Sequence, residues 1–520
     1  MYKNILNVQL IIALLCVYSC SEFPKKEQSK DKSISHTEAK LNVLLIIADD
    51  LNCDLGAYGN LVVKTPNIDR LAKRGILFKN AHNQYPLCGP SRASFMTGMY
   101  TNQTKITRNN MNLRNSVPDV ITMGQRFRQH GYQSVRIGKM FHYDNPSAIG
   151  TSGNDDIYSW DQTVNPYGSD KIEEYKINTL SPRKYGGTLS WLAADGKDEE
   201  QTDGIAASEA IKKLDYFAQI DTPFFLAVGF FRPHTPFVAP KKYFDLYDRE
   251  KIEIPEIDSD YLATLPDPAV KSIRAQKNQL NLEKECAQEI KEAYYATISF
   301  VDAQVGRILD HLEATGLDKN TVIVFTSDHG YHLGEHGHWQ KQTLFENATR
   351  IPLIISTPNL EKKGLKSMSP VELIDLYPTL MDLTNIKTPK HVVGKSLDPI
   401  IKNVNASVRG SSLTRWKNGY SIKTKRYRLT KWGSNGELGY ELYDHKNDKN
   451  ELINLSSNQD YNAVMDSLKL VIEQRIADAS IKPEGLGRQF ENAKPMYKAK
   501  NITFGDIHEI NGEIIYLKKK

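Results

Sequence analysis

The sequence predicts an α/β fold: a large, mixed to parallel sheet flanked by helices, followed by a smaller antiparallel-sheet subdomain. Three observations predict it. Short apolar runs recur along the chain, each ending in a polar residue capable of chemistry and each followed by a helical pattern. The runs are continuous rather than alternating, as in strands buried on both faces. Beyond about residue 395 the pattern changes to short alternating strands joined by tight turns.

The elements follow in order. Val43–Ala48 is a buried strand ending in Asp49-Asp50, and Ile68–Arg74 is a helix stopped by Gly75. A helix over Val120–His130, stopped by Gly131, precedes the strand Ser134–Ile137, which leads to Lys139 and His142. The helix Asp203–Phe217 leads to the strand Phe224–Phe230 and then to Arg232-Pro233-His234. A long helix, Leu282–Ala314, is followed by the strand Thr321–Phe325 and by Asp328-His329. Ile351–Ile355 is a further strand after Lys341, and Val371–Leu383 a further helix. In sheets of this kind functional groups gather beyond the carboxyl ends of the strands, so these polar residues converge on one edge. The loops 145–200 and 252–283 are long and irregular, which makes them candidates for substrate recognition.

In the C-terminal part, Tyr420–Thr424, Tyr427–Trp432 and Tyr440–Tyr443 read as strands, with a turn at Gly433–Gly436 and a helix near Ala463–Ala479. Lys423, Lys425, Arg426, Arg428 and Lys431 give this sheet a basic surface, either a solvated strand face or a grip on an anionic chain. At the N-terminus, Lys3 precedes an apolar run from Val8 to Val17, too short to span a bilayer comfortably and shaped like an export signal. Val17-Tyr18-Ser19-Cys20 resembles a bacterial lipobox, with Cys20 as the lipidated residue; a plain signal cleaved nearby is the alternative. The expected organisation is a signal over 1–20, a polar tether over 21–40, a catalytic domain over 41–395 and a small sheet-plus-helix subdomain over 396–520.

Composition sets the class. Across 520 residues the net charge is +5, with 40% hydrophobic and 25% charged residues, ordinary for a globular protein and no argument for nucleic acid. A mild positive balance suits an enzyme that meets polyanions. Of five cysteines, Cys16 and Cys20 belong to the signal; Cys53 and Cys286 are either a disulfide or two separate thiols.

The remaining one, Cys88, opens Cys-Gly-Pro-Ser-Arg-Ala-Ser-Phe-Met-Thr-Gly over 88–98. Pro90 favours a first helical turn, whose free N–H groups and dipole stabilise an anion at residue 88. Arg92 lies one turn on, within reach of an acid. This stretch resembles the signature of type I sulfatases. The segments LNVLLIIADDL, TPNIDRLAKRGILFKNAH, GKMFH, PFFLAVGFFRPHTPF, ISFVDAQVGRIL, TSDHGYHLGEHGHWQK and YSIKTKRYRLTKW narrow the likeness to the iduronate 2-sulfatase branch, over most of 41–455.

The resemblance implies an alkaline-phosphatase-like fold and hydrolysis of a sulfate ester on a sugar. It implies a Cys88 oxidised to formylglycine by a maturation enzyme, as nucleophile. Asp49, Asp50, residue 88 and Asp328 would hold one calcium ion, since paired buried acids need a hard cation with oxygen ligands. His329 is either a further ligand or the partner of a sulfate oxygen or an acid. His142 resembles the base that releases sulfate and His234 the acid for the leaving group. Lys139 and Lys341 resemble the lysines that grip sulfate, and His332 is a further candidate contact.

The expectation is a hydrolase of sulfated oligosaccharides or polysaccharides, exo-acting because long insertions tend to wall a pocket. It would be exported to the periplasm or cell surface of a Gram-negative bacterium and held to the membrane by lipid alone. Two other readings stand beside it: a phosphomonoesterase or phosphodiesterase of the same fold, and an inactive glycan-binding relative. Intact Cys88, Lys139, His142, His234 and Lys341 speak against the second.

Overall fold

The computed structural model describes residues 40–491 except 183 and 258, together with residue 493 and the strands Ile507–Ile510 and Glu513–Tyr516. The expected signal with Cys20, and the tether up to residue 39, lie outside the described residues. The described residues from Lys40 onward cluster as one compact unit.

Its frame is an eight-stranded sheet. In chain order the strands are β1 (Asn42–Asp49), β2 (Ile76–Phe78), β3 (Gln133–Gly138), β4 (Gln162–Val164), β5 (Phe224–Pro233), β6 (Thr321–Ser327), β7 (Leu353–Ser356) and β8 (Leu365–Ser367). They lie in the order β8-β2-β7-β6-β1-β5-β3-β4. Only β7 runs against its neighbours in this sheet. The sheet is thus mixed but mainly parallel, so nearly all its strands end on the same edge.

Every residue of β1 is buried, because both faces of the sheet are covered. Leu44, Ile46 and Ala48 pack toward the helices α1 (Pro66–Arg74), α3 (Thr202–Phe217) and α4 (Lys284–Ala314). Val43, Leu45 and Ile47 pack toward α2 (Cys88–Thr97) and α5 (Leu376–Leu383) on the other face. This is the period of two that a strand imposes on its side chains. Among the described residues no helix is long and apolar enough to cross a membrane.

The C-terminal sheet is a four-stranded antiparallel meander: β9 (Ser412–Trp416), β10 (Gly419–Lys423), β11 (Tyr427–Trp432) and β12 (Tyr440–Asp444). Its apolar face, Leu413, Ile422, Leu429 and Leu442, is covered by Met465, Leu468 and Ile472 of α6 (Asn462–Ser480).

Several elements differ from the sequence expectation. Val371–Leu383 opens with a two-residue strand, Val371–Glu372, and a single turn before α5; β pairing with Ala81–His82 captures its first residues. The helix expected over Val120–His130 spans only Met123–Gln129, with Thr122 as its N-cap. The strands β2, β4 and β8, of three residues each, are too short to show a period. Cys53 and Cys286 are free thiols, not a disulfide.

Candidate active site

Strand ends supply most of the groups. Asp49 closes β1, and Asp50 follows with φ 63°, a left-handed conformation rare for a residue with a side chain. Asp328 follows β6, Lys139 follows β3 and His234 follows β5. Lys139 arrives through a close approach of backbones. A Cβ on Gly138 would lie 2.1 Å from the carbonyl oxygen of Gly229, so only glycine fits.

Cys88 is fully buried at the first residue of α2. Asn109 accepts a hydrogen bond from the Gly89 N–H at 2.9 Å, and Ser91 donates to the Asp328 carbonyl at 2.5 Å, which ties the helix to the sheet edge. Around the Cys88 sulfur stand His329 Nε2 at 3.2 Å, Lys341 Nζ at 3.3 Å and Asp50 Oδ1 at 3.6 Å. Burial pushes the thiol well above its ordinary pKa, against the pull of Lys341.

Three buried carboxylates face three buried cations. Arg92 donates to Asp49 at 2.8 Å and to Asp328 at 2.9 Å, and its other N–H groups reach the carbonyls of Lys139 and Met140. Lys139 Nζ lies 2.5 Å from Asp49, and Lys341 Nζ lies 2.7 and 2.6 Å from the two oxygens of Asp50. Burial would raise the Asp49 carboxyl, but Lys139 and Arg92 outweigh it and hold the group well below the ordinary range. Asp50 goes the other way. Burial, with Asp49 and Asp328 beside it, lifts its carboxyl despite Lys341 and His329. The ionised form of Asp50 is therefore under-stabilised in its dry surroundings, a condition a bound cation relieves.

The donors fit one. Ligand atoms of Asp50, Cys88, Asp328 and His329 lie within 4.8 Å of one another, as do those of Asp49, Asp50, Cys88 and His234. Two of the four donors in each set are carboxylate oxygens, the ligands of a hard divalent ion, beside one sulfur and one imidazole nitrogen.

The centre opens into a cavity of about 450 Å³ whose wall includes His142, His234 and Lys341. Asn145 and Lys184 from the 145–200 insertion and Gln276 from the 252–283 insertion line it too. No residue of β9–β12 is among its lining. His142 is buried, its Nε2 3.2 Å from Asp144, its Nδ1 without a hydrogen-bond partner among the described residues, and its pKa lowered by burial to about 4. His234 meets the Thr235 carbonyl with Nδ1 at 2.5 Å, which leaves Nε2 facing Asp50 Oδ2 at 3.7 Å. Burial first, and Lys341 second, hold the ring well below the ordinary histidine pKa.

Two expectations are corrected. His332 is fully buried, bonds Thr343 at 2.8 Å and does not line the cavity, so it is no substrate contact in this geometry. The basic run of the C-terminal sheet is not a surface grip: Lys423, Arg428 and Lys431 are buried, and Arg426 is bound to Asp444 at 2.7 Å. Sequence reasoning missed Asn109 and Tyr294. The Tyr294 hydroxyl donates to the Asp50 carbonyl at 2.8 Å and accepts from the Asn52 N–H at 3.0 Å, fixing the strained Asp50 turn from the middle of α4. One tyrosine in a 31-residue helix gives no sequence signal of that.

Strand-end acids and lysines around one buried cysteine at a helix start define a hydrolase centre of the sulfatase type, and the chain belongs to the sulfatase family, whose pattern matches residues 41–386. A second pattern, N-sulphoglucosamine sulphohydrolase, C-terminal, matches residues 334–478. The chain is 35% identical over 477 residues to a sulfatase of Formosa agariphila, covering 88% of this chain and 90% of that one. It is 32% identical over 514 residues to human iduronate 2-sulfatase, covering 83% and 90%. The fold is shared with the phosphonate monoester hydrolase of Silicibacter pomeroyi, at 21% identity and a TM-score of 0.70 over 92% of this chain and 99% of that one. The protein is a sulfuric ester hydrolase.

Proposed function

We propose that this enzyme removes sulfate from sulfated oligosaccharides at a chain end, with residue 88 matured to formylglycine by a separate enzyme and calcium held by Asp49, Asp50, Asp328 and His329. The observation that carries the reading is the setting of Cys88. It sits where a helix start, Lys341, His329 and three carboxylates meet, directly behind Leu87 and Lys341 of a cavity bordered by two histidines. Likeness to an iduronate sulfatase supports a sugar ester. A cavity of about 450 Å³ walled by two insertions suits a short saccharide better than a long open chain.

Bound calcium supplies positive charge at residue 88 and at the sulfate. The three cations already balance the three carboxylates, so the loaded centre carries net positive charge to receive an anionic ester. Lys139 and Lys341 hold the sulfate oxygens. His234 donates the proton to the departing sugar oxygen. Its Nδ1–H is fixed on the Thr235 carbonyl, so Nε2 becomes a donor only when the ring takes a second proton, and a sulfate beside it favours that form. His142, neutral above about pH 4, takes the proton whose loss frees sulfate from residue 88. The leader around Cys20 supports export to the periplasm or cell surface with a lipid anchor.

Peptide mass of residue 88 tests the nucleophile: an aldehyde is expected, and full activity with an unmodified thiol would overturn it. Sulfate release from an oligosaccharide digest should exceed release from the intact polymer. Comparable release from both refutes exo action, and faster phosphate or phosphonate than sulfate release from aryl esters refutes the sulfatase preference.

A further inference from the structure

Lys341 is held in an unusual way. Its neighbours Gln340 and Gln342 both lie in the left-handed region, with φ 83° and 75°, so the ammonium that meets Asp50 and Cys88 is presented by a backbone strained on both sides. Strain of this kind persists only where surrounding contacts over-determine the chain. The short ladder His332–Leu333 with Trp339–Gln340 fixes one side of the turn, and the Gln342 N–H bonds the Pro86 carbonyl at 3.2 Å on the other. The second of these holds the N–H of the Lys341–Gln342 peptide, but neither reaches that peptide's carbonyl oxygen.

His338 does. Its Nε2 lies 2.8 Å from the Lys341 carbonyl, and its Nδ1 lies 2.7 Å from the carbonyl of Ile273, the last residue of the helix Asp267–Ile273 in the 252–283 insertion. A carbonyl oxygen only accepts, so the ring makes both bonds when both nitrogens carry protons. Ile273 offers a carbonyl of a helix's last turn, which lacks an intrahelical partner and carries partial negative charge suited to an imidazolium. The ring is 2% exposed and packs 5.0 Å from the His332 ring, so water does not compete for either bond.

We infer that His338 is a positioning residue for Lys341: its imidazole staples the strained turn 339–342 to the insertion that walls the cavity, and so holds the Lys341 ammonium on the reacting centre. The staple also links cavity wall to centre, because Gln276, three residues past Ile273, lines the cavity beside Lys341. Burial lowers the ring's pKa in spite of the two carbonyls, so the staple stands on the placement of the two nitrogens: the neutral ring donates to one carbonyl, the protonated ring to both. The inference rests on the reading that Lys341 acts on the sulfate.

The test is a double-mutant cycle on aryl sulfate turnover with the matured, metal-loaded enzyme, using His338→Asn, His338→Phe and Lys341→Arg. His338→Phe should lower kcat/KM about 10- to 100-fold. His338→Asn, which keeps a donor for one carbonyl, should recover part of that loss. In the Lys341→Arg background His338→Phe should cost less than threefold, because the group it positions has already been displaced. Equal losses from His338→Phe in both backgrounds would make the residue merely structural and overturn the inference. Wild-type turnover by Lys341→Arg and by Lys341→Ala would overturn it together with the reading of Lys341. If His338→Phe fails to fold, His338→Asn carries the cycle alone, with the same two outcomes read from it.

Discussion

Two regions of this molecule bury clusters of opposite charge, and only one of them is a reaction centre. At the carboxyl edge of the main sheet, Asp49, Asp50 and Asp328 meet Arg92, Lys139 and Lys341. Where the C-terminal sheet joins the main body, Arg428 lies between Glu346 and Glu451, and His445 closes on Glu451 at 2.7 Å. Glu346, His445 and Glu451 present ligand atoms as close together as those of the first cluster. The difference lies in what fills the middle. In the second cluster a guanidinium occupies it and bonds both carboxylates, so each anion already has its cation. In the first, the cations stand at the periphery, and a cysteine, an imidazole nitrogen and a cavity share the centre. Donor types at ligand spacing do not make a site; an opening and an uncommitted centre do.

Metal removal gives the largest expected effect. Chelation should abolish aryl sulfate turnover, and calcium should restore it, because burial leaves the Asp50 carboxylate under-stabilised without a cation. Asp328→Ala should not be rescued by any calcium concentration. The C-terminal cluster, complete without an ion, should leave the four-stranded sheet equally stable with and without chelator. Two zinc ions in the purified active enzyme would replace this account with that of a phosphatase.

Next come the two arginines. Arg92→Ala and Arg428→Ala each strand two buried carboxylates, at a cost of about 3–5 kcal/mol of stability. Their kinetic consequences should part. Arg92→Ala should eliminate turnover even at temperatures where the protein is folded, since Asp49 and Asp328 lose their orientation. Arg428→Ala should lower Tm while kcat/KM of the folded fraction stays within about twofold. A large kcat loss in folded Arg428→Ala would mean that the second cluster works on the first.

The same contrast explains what was legible in the sequence. The centre was legible because a parallel sheet delivers the residue after each strand to one edge, so Asp49, Lys139, His234 and Asp328 could be read from local pattern. The C-terminal cluster was not. A basic run such as Lys423–Lys431 looks alike whether water or acids face it, and here the acids are Glu346, Glu451 and Glu473, remote in sequence. Asn109, Tyr294 and the His338 bonds were hidden for the same reason: each acts through a backbone group that folding alone brings near. The short strand β2 gains its identity from β7, and β8 in turn from β2, rather than from any period of their own.

The histidines at the cavity should separate by leaving group. His234→Ala should slow an unactivated sugar sulfate by roughly 10²–10⁴ and an activated aryl sulfate far less, because only the former needs a proton in the transition state. His142→Ala should impair both alike and leave sulfate attached to the enzyme, visible by mass. Equal losses on both substrates for His234→Ala would remove it from the acid role.

The smallest effect belongs to the second region alone. Glu441, the second residue of β12, is buried, accepting from Trp432 Nε1 at 2.6 Å and from the Tyr443 hydroxyl at 2.8 Å. Burial, opposed by those two bonds, raises its carboxyl from 4.5 to about 7. The sign follows from proton binding. Between about pH 4.5 and 7 the folded protein keeps a proton that the unfolded chain releases, so this group's contribution to stability is fully present at the acid end and is lost as pH rises through the folded value. Glu441→Gln keeps the shape and removes the titration. Relative to the variant, the wild type should therefore lose on the order of 1–3 kcal/mol of stability between pH 5 and pH 8, read from urea midpoints at each pH. The kinetic pH profile on aryl sulfate should not move, since Glu441 does not line the cavity. A constant stability difference across that range would mean that Glu441 is ionised in the fold and that a cation reaches it, and the C-terminal cluster would then not be saturated after all.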